Sequence, residues 1–428
     1  MDHTLLNEQE RPGRIHFEIL FMSWAGWVFD FYSLILFTFL LNPIGAEFHL
    51  SNLARSYVIG ASLAATAIGG VFMGVLSDRF GRRRVLQWTI LTYSIGTFLS
   101  GFAPSLAFLI LFCVITGIGV GGEWATGQTY VGETFPPRVR ARYAAFMQTG
   151  APIGIVLASI VGGFVEPLVG WRTCFFLSIL PALLVIVIRR RLPESDVWLA
   201  RRRLVSESGS AQSHSHGVPA NKFLLLFSSK YRRLFLQSLV LAMFDMSAYW
   251  FTYSWLPGYL HQQRHFPMAK SAVWMLITQA GGLLGYLTFG FVADWLGRRP
   301  AYSIYSFVMA FALLMTTLFW DSVAVYPAVI LSFMFLVGFG TGMFSGYGPL
   351  FTELYPTGIR NTAMGSAFNL ARGVQFFTPV IIAVVAEKYG LSGGISLAAV
   401  FAILTGIWIW TFPETKGHKL RVIEEGDL

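Results

Sequence analysis

The segment GVLSDRFGRRR at residues 74–84 recurs, with few changes, as GFVADWLGRR at residues 290–299. Each copy follows a long apolar stretch, and the two aspartates, Asp78 and Asp294, occupy the same place in the two copies. A basic, glycine-punctuated segment that recurs half a chain later indicates an internal repeat. The sequence therefore predicts two copies of one folding unit.

Two further sequence segments recur in the second half of the chain, at nearly the same distance along the sequence. ETFPPRVR carries Glu133 and Arg140, and ELYPTGIR carries Glu353 and Arg360, so the Glu-to-Arg spacing is the same in both copies. Pro-Glu-Ser at residues 193–195 recurs as Pro-Glu-Thr at residues 413–415, in the same register as the Glu-to-Arg segments. Three marks in one register support the repeat and place its copies in the two halves of the chain.

The composition excludes a soluble protein. Hydrophobic residues make up 55% of the 428 residues and charged residues only 12%, about half the usual charged fraction. Such a chain cannot cover its surface with charge, so we expect it to face lipid. Cys113 and Cys174 both lie in apolar runs, which predicts neither a disulfide nor a metal site. The net charge of +9 is attributed to basic membrane loops and not to nucleic-acid binding.

Twelve stretches are long and apolar enough to cross a bilayer, which needs roughly 20 such residues. They are residues 19–41, 57–76, 85–102, 106–130, 143–165, 171–188, 234–255, 272–293, 301–320, 323–350, 362–386 and 391–412. The predicted fold is an all-α membrane protein with twelve transmembrane helices in two six-helix pseudo-symmetric bundles. The bundles comprise residues 1–188 and 234–428, and residues 189–233 form a cytoplasmic linker between them.

The positive charges predict the orientation. Of the 31 Lys and Arg residues, 25 fall on the side of the two termini, one (Arg372) falls inside a span, and five fall on the opposite side. Basic loops stay in the cytoplasm, so both termini are expected there. The polar N-terminus has no signal-peptide core, and we expect a bacterial inner membrane. The linker is Ser- and His-rich; a flexible connection is favoured over metal binding by His214 and His216.

Two parallel six-helix repeats are the architecture of alternating-access transporters, in which the substrate site lies between the halves near mid-membrane. The repeated charges at the cytoplasmic helix ends suit a gate that must close in one state and open in another. The alternative is that they only retain the loops in the cytoplasm and snorkel. The candidate gate residues are Gly74, Asp78, Arg79, Gly81, Arg82, Glu133, Arg140, Asp294, Arg298, Glu353 and Arg360.

The sequence resembles the major facilitator superfamily over nearly its whole length. The superfamily signature GxxxDRxGRR is matched by the segment that begins at Gly74, and GVGGEW at residues 119–124 resembles the metabolite:proton symporter branch. The first helix, with Phe-Asp-Phe-Tyr at residues 29–32, looks most like sialate and lactate:proton symporters. The chain departs from those relatives at Trp27, where a second acid is frequent, and at Cys113, where an Arg is frequent.

Ionisable side chains at membrane depth are costly and are candidates for function. Asp30, Glu123 and Asp245 fall inside predicted spans, and Asp30 and Asp245 are separated by nearly one repeat period. Proton coupling needs a buried carboxylate that can change its protonation state. These three acids are therefore the candidates for proton coupling, with fixed ion pairs between helices as the alternative.

Arg372 is the most informative residue for the substrate, because its guanidinium stays charged and its fork of donors matches a carboxylate. The alternative is a permanent pair with one of the buried acids. Asn369 and Gln375 share its helix face at a spacing of three. Gln148 resembles the position of a substrate-binding Gln in sugar porters. The candidate substrate residues are Arg372, Asn369, Gln148, Tyr249, Gln279 and Gln375.

The expected function is proton-coupled symport of a small organic anion, either a monocarboxylate or a sugar acid, by a monomer in the lipid bilayer. A sugar or polyol:proton symporter is one alternative, and a non-transporting sensor with the same fold is another. The sequence has no nucleotide-binding loop, no Ser/His/Asp constellation and no metal-ligand spacing, so we predict no enzyme activity, no cofactor and no nucleic-acid partner.

Overall fold

A computed structural model describes residues 5–50, 52–207, 222–265, 268–323 and 326–420. His214 and His216, and the middle of the predicted linker with them, lie outside the described residues. The described part folds into α-helices joined by short turns, with brief 3₁₀ and π segments. The chain packs as two compact units: unit 1 comprises residues 1–235, 348–369 and 418–428, and unit 2 comprises residues 236–347 and 370–417.

Within the described residues, the first half of the chain forms nine α-helices before the linker. They are α1 (Arg14–Glu47), α2 (Asn52–Phe80), α3 (Arg82–Ser100), α4 (Leu106–Thr134), α5 (Arg140–Gln148), α6 (Gly150–Ile160), α7 (Glu166–Val169), α8 (Trp171–Leu177) and α9 (Ala182–Arg191). The described parts of the linker form α10 (Asp196–Glu207) and α11 (Lys222–Leu225).

The second half continues in the same way. Its helices are α12 (Arg232–Gly258), α13 (Met268–Leu296), α14 (Arg298–Thr317), α15 (Trp320–Val323), α16 (Pro327–Gly340), α17 (Tyr347–Leu354), α18 (Arg360–Val374) and α19 (Thr378–Trp408). Helix α19 joins the end of one predicted span to the next across Gly390, whose φ of +70° breaks the helical path.

Nine stretches of the described residues are long and apolar enough to cross a membrane. They are Arg14–Leu41, Gly60–Phe80, Leu106–Thr134, Arg140–Val169, Arg232–Tyr253, Trp274–Leu296, Arg298–Thr317, Ala328–Leu354 and Val384–Thr411. The other three predicted spans are helical but interrupted or more polar. Helix α3 opens with three arginines, a turn separates α8 from α9, and a 3₁₀ turn at Gln375–Phe377 follows α18.

Large apolar side chains face outward from these helices, as a lipid environment requires. Phe164 and Trp295 are each 75% exposed and Leu168 is 83% exposed. A surface of this kind would be unstable in water but is favourable in hydrocarbon. The composition argument for a membrane protein thus has a structural counterpart.

Glycines let the helices approach backbone to backbone. In unit 1, α2 packs along α4, and a Cβ on Gly121 would overlap the carbonyl oxygen of Thr66. In unit 2, α13 packs along α16, and a Cβ on Gly338 would overlap the carbonyl oxygen of Thr278. Small residues at such crossings are typical of membrane helices, where close van der Waals contact drives association. The same device appears in both halves of the repeat.

The Pro-Glu-Ser/Thr marks have a structural role that the sequence did not assign. The Glu194 carboxylate accepts hydrogen bonds from the backbone N–H groups of Arg82 and Arg83, at 2.6 and 3.0 Å, where α3 begins. Gly81 precedes them with φ +100°, and a Cβ there would overlap the Glu194 carboxylate. An anion at a helix N-terminus satisfies free N–H groups and interacts favourably with the helix dipole.

The second half repeats this cap. Glu414 accepts from the backbone N–H groups of Arg298 and Arg299, at 2.9 and 3.0 Å, and Gly297 has φ +118°. Burial by itself raises the pKa of Glu414, but hydrogen bonds from four backbone N–H groups hold this pKa below its usual value. Each half therefore ties the segment after its sixth span to the start of its third.

A weaker set of hydrogen bonds joins two segments at the opposite end of unit 1. Glu47, at the end of α1, accepts from the Trp171 indole at 2.8 Å and from the Arg172 guanidinium at 2.6 Å. The hydrogen bond from Arg172 lowers the pKa of Glu47. Both charged side chains are about two-fifths exposed, so solvent screens the pair and its net contribution to stability is small.

The capping of α3 by Glu194 predicts the effect of placing a side chain at Gly81. Gly81→Ala must adopt a backbone conformation that is essentially restricted to glycine, and its methyl group must displace Glu194, so a loss of about 1–3 kcal/mol is expected. Thermal unfolding of the purified protein, followed by tryptophan fluorescence, measures this loss. Gly60→Ala is the control, because nothing lies within 4 Å of a Cβ there. Equal stability of the two variants would contradict the cap.

Candidate functional site

A network of buried charges lies in unit 1 at the helix ends that adjoin the linker. We call it the linker-face network and define it as Asp78, Arg82, Glu133, Arg140, Glu353 and Arg360; the charge pattern predicts that this face is cytoplasmic. All six are at most 8% exposed, and four of them come from the repeated Glu-x₆-Arg segments. The structure thus brings together residues from opposite halves of the sequence.

Glu133, at the end of α4, is the centre of the network. Its carboxylate accepts two hydrogen bonds from the Arg82 guanidinium, at 2.8 and 3.0 Å, and a further one from Arg360. The hydroxyl of Ser195 also donates to it. A buried carboxylate costs several kcal/mol in desolvation unless it is paired and hydrogen-bonded in this way. The two arginines and the serine meet that requirement together.

The two Glu-x₆-Arg segments are paired crosswise. Glu133 of the first segment accepts from Arg360 of the second, and Glu353 of the second accepts from Arg140 of the first at 3.0 Å. Both pairs have side chains with 0% exposure. The equal spacing in the two segments therefore serves a reciprocal pairing that neither half can form alone.

Asp78 caps the start of α18. Its two carboxylate oxygens accept from the backbone N–H groups of Asn361 and Thr362, at 3.2 and 2.8 Å, and from the Thr362 hydroxyl at 2.7 Å. It also accepts from Arg82 at 3.0 Å. Gly74 lies one turn earlier, and a Cβ there would come within 2.9 Å of the Asn361 carbonyl oxygen. Gly74 lets the start of α18 come close to α2, and Asp78 stabilises this close contact through its hydrogen bonds.

The remaining predicted gate residues lie outside this network or in the other unit. Arg79 is exposed and stacks over the Phe80 ring at 5.2 Å. In unit 2, Asp294 and Arg298 repeat the local pair of the first half: Arg298 donates to Asp294 at 3.0 Å and to the Ala293 carbonyl at 2.8 Å.

The linker contributes to the network as well. Trp198 of α10 donates from its indole to the Asp78 carbonyl at 3.2 Å. Lys222 of α11 donates to the Gly358 carbonyl at 3.0 Å, next to Arg201 of α10, whose guanidinium packs against Gly358. Burial lowers the pKa of Lys222 to about 8; Asp78 opposes this effect, and repulsion from nearby arginines adds to it.

Two predicted proton-coupling residues meet inside unit 1. Asp30 on α1 and Glu123 on α4 both have 0% exposure. The Glu123 carboxylate packs against Gly26, one turn before Asp30, where a Cβ would overlap its Oε1 atom. The Tyr93 hydroxyl of α3 donates to the Gly26 carbonyl at 3.3 Å.

The third acid lies in unit 2. Asp245 on α12 also has 0% exposure, and the Tyr347 hydroxyl faces its carboxylate. Tyr302 and Tyr286 lie within its electrostatic reach. The two acids that are separated by nearly one repeat period thus have different neighbours: Asp30 faces a second carboxylate, and Asp245 faces phenols.

The candidate substrate residues are distributed over both units. In unit 2, Arg372 is 8% exposed and lies within electrostatic reach of Tyr249. The Tyr249 ring stacks on Tyr253 with centroids 4.5 Å apart and meets Phe344 edge-on at 5.2 Å. Arg372 therefore lies within electrostatic reach of one ring, Tyr249, of an aromatic cluster.

The amide side chains of this set take part in helix contacts. In unit 2, Gln375 bonds to Ser247 at 3.3 Å, and Gln279 on α13 is partly exposed. In unit 1, the Asn369 amide donates to the Gly121 carbonyl at 2.9 Å, and Gln148 accepts from the Trp124 indole at 2.9 Å.

A cluster of possible metal ligands is not found among the described residues. Sequence reasoning did not single out Ser195, Asn361, Thr362, Trp198, Lys222 and Tyr93. Two of them had a signal: Ser195 lies in the repeated Pro-Glu-Ser/Thr segment, and Thr362 is a hydroxyl residue at the start of an apolar run, which is typical of a helix N-terminus. The others acquire a role only through residues that are distant in the sequence.

Comparison with known proteins identifies the family. A model of the Major Facilitator Superfamily matches residues 22–376. The chain belongs to the major facilitator superfamily. It is 30% identical to the sialic acid transporter NanX of Escherichia coli over 91% of this chain and 92% of that protein. It is 29% identical to the cis,cis-muconate transport protein of Acinetobacter baylyi over 94% and 95% of the two chains.

A solved structure agrees with the fold. The proton:xylose symporter XylE, bound to 6-bromo-6-deoxy-D-glucose, superposes with a TM-score of 0.76 over 95% of this chain and 98% of its own, at 19% identity. The all-α membrane fold is thereby confirmed, and twelve helices are consistent with it. This superfamily member is a multi-pass membrane transporter and not an enzyme, as the sequence indicated.

The capping of α18 by Asp78 predicts that loss of the Asp78 charge makes buried residues of the linker face more accessible. Asp78→Asn keeps one acceptor but removes the charge that two backbone N–H groups and Arg82 share, a change of about 1.5–3 kcal/mol. We expect normal membrane insertion and at least about tenfold faster maleimide labelling of Thr129→Cys, which is buried beside Asn361. The parent carries serine at residues 113 and 174. Asp321→Asn, an exposed acid, is the control; unchanged labelling in Asp78→Asn would refute the role.

The lowered pKa of Lys222 predicts that the folding stability depends on pH. Between pH 8 and 10.5 the unfolded chain keeps the Lys222 proton that the folded chain has lost, so folding stability should rise with pH over this window. The melting temperature of the wild type, relative to Lys222→Met, should increase from pH 8 to pH 10 and stay constant below pH 7. The exposed Lys419→Met serves as the matched control. A difference between wild type and Lys222→Met that is flat over the whole range would contradict the burial of the ammonium group.

Proposed function

We propose that this protein is a proton-coupled symporter of small organic anions, monocarboxylates or sugar acids, that works by alternating access. In this proposal it is a monomer in a bacterial inner membrane with both termini in the cytoplasm. The observation that carries the proposal is the Arg372 guanidinium, which is 8% exposed on a helix inside the transporter fold. A permanent cation at that depth suits a substrate that brings its own carboxylate.

The surroundings of Arg372 support an anion with an apolar body. Tyr249, Tyr253 and Phe344 form an aromatic cluster, and the guanidinium lies within electrostatic reach of Tyr249. Gln375 adds an amide on the following turn. A carboxylate can pair with the fork of donors while the rest of the molecule packs on the rings. The relatives named for muconate and sialic acid are consistent with this chemistry, because both compounds are carboxylic acids.

Proton coupling in this proposal depends on a buried acid, and three residues are the candidates. Asp30, Glu123 and Asp245 all have 0% exposure, so each incurs a desolvation cost when ionised that protonation removes. The linker-face network acts as the gate: it is held by charge-assisted hydrogen bonds that water can replace when the face opens. Its residues come from both halves of the repeat, so their separation can follow a motion of the helices that carry them.

The experiment is uptake of labelled sialic acid and cis,cis-muconate into proteoliposomes under an inward proton gradient. Arg372→Ala should fold but lose uptake by roughly 30-fold or more, since removing one partner of a buried charge pair costs about 2–5 kcal/mol. Arg372→Lys should retain part of the activity, because it keeps the charge without the fork. Lys388→Ala removes an exposed cation of the same unit and should transport like the wild type.

Three results would overturn the proposal. An unchanged KM in Arg372→Ala would show that the guanidinium does not bind the anion. Uptake of hexoses in place of both acids would favour a sugar symporter. Absence of flux for every compound of a broad panel of carboxylates and sugars would favour a sensor.

A further inference from the structure

A buried site in unit 1 holds two carboxylates. Asp30 on α1 and Glu123 on α4 each have 0% exposure, and each lies within electrostatic reach of the other. Their proximity depends on Gly26: the Glu123 carboxylate occupies the space that a Cβ at this position would fill, one helical turn from Asp30. The absence of a side chain at Gly26 therefore brings an acid of α4 against α1.

Glu123 has an unusual environment for a buried acid. Neither of its carboxylate oxygens accepts a hydrogen bond from any residue that the structure describes, and it forms no ion pair with one. The charged residue that faces it is Asp30, and the titratable group beside both is Tyr93. An ionised carboxylate in such a place is costly, and two neighbouring carboxylates of like charge increase the cost. One proton on the pair removes most of it.

Tyr93 reaches the same pocket from α3. Its hydroxyl donates to the Gly26 carbonyl at 3.3 Å and lies within electrostatic reach of both Asp30 and Glu123. The side chain has 0% exposure, so its position is fixed by packing. A phenol held there can donate to a carboxylate that has lost its proton and can release it when the proton returns.

We propose that Asp30 and Glu123 hold a single exchangeable proton between them, and that Tyr93 is the residue that positions it. Loading forms one O–H bond on a carboxylate oxygen and changes the charge of the pair from −2 to −1. Release breaks that bond and returns the proton to water. This inference rests on the proposed proton coupling and specifies its site: the pair of acids in unit 1 carries the proton, and Asp245 in unit 2 does not.

The contrast with Asp245 provides the matched control. Asp245 lies nearly one repeat period after Asp30 but faces tyrosines and not a second acid. Phenols can stabilise one ionised carboxylate by donating to it, whereas a second carboxylate cannot unless a proton is present. Asp245→Asn therefore changes a buried acid in the same structural role and leaves the unit 1 pair intact.

The first experiment needs no substrate. Infrared spectra of the reconstituted wild type should contain the C=O band of a protonated carboxylic acid that disappears in a single step as the pH is raised. The band should be lost or displaced in Glu123→Gln and in Asp30→Asn and should persist in Asp245→Asn. Absence of the band, or its persistence unchanged in Glu123→Gln, would overturn the proposal whether or not the protein transports organic anions.

Tyr93→Phe tests the positioning role. Removal of the hydroxyl should move the midpoint of the infrared titration by about one pH unit or more, equivalent to about 1.4 kcal/mol, while the melting temperature stays within a few degrees of the wild type. An unchanged midpoint would remove Tyr93 from the proposal. A lower melting temperature with an unchanged midpoint would assign Tyr93 a structural role only.

The second experiment uses transport of labelled sialic acid and cis,cis-muconate. Glu123→Gln should retain exchange of substrate across the membrane without a gradient but lose at least about tenfold of the accumulation that a pH gradient drives. Asp321→Asn, which changes an exposed acid outside the candidate sites, should accumulate substrate like the wild type. Wild-type accumulation by Glu123→Gln would overturn the shared proton, whereas failure of every variant and of the wild type to transport either acid would count against the anion proposal alone.

Discussion

The carboxylate of Glu133 is the group on which the linker face of unit 1 depends. It is fully buried and is satisfied by Arg82, Arg360 and Ser195, which come from three separate segments of the chain. Two buried guanidinium groups would lose their shared acceptor without it, and an unpaired buried charge costs more than a pair contributes. One acidic side chain therefore fixes the mutual positions of α3, α4, α18 and the start of the linker.

The internal repeat preserves the helix caps and the glycine conformations more closely than it preserves the surroundings of the buried acids. Glu194 and Glu414 cap equivalent helices, and Gly81 and Gly297 adopt equivalent conformations with positive φ. These devices depend only on N–H groups and backbone angles, which both halves have in common. The buried acids differ because their surroundings are side chains: Asp30 faces a carboxylate, whereas its counterpart in the second half faces phenols. The two halves thus share their backbone features but differ in the side chains that surround their buried acids.

For the candidate site, the sequence spacing predicted which residues are related but not which residues they contact. Equal spacing in the two Glu-x₆-Arg segments identified Glu133 and Arg360 as related, but not that each segment pairs with the other. Asn369 was assigned to a polar stripe with Arg372 from its spacing, and the structure adds a hydrogen bond from its amide to the Gly121 carbonyl. Whether it also binds substrate stays a prediction. Helix periodicity specifies a face, but it does not specify what that face contacts.

The sequence by itself determined the membrane environment, the helical class, the repeat and the family, because these follow from composition, hydropathy and motif spacing. Only the tertiary structure decided which charges are neutralised and by which partners. Glu123 and Tyr93 lie on separate helices, α4 and α3, and their meeting at Gly26 depends on how closely those helices pack against α1. Electrostatic interactions change steeply with distance and burial, and neither quantity can be calculated from the order of residues alone.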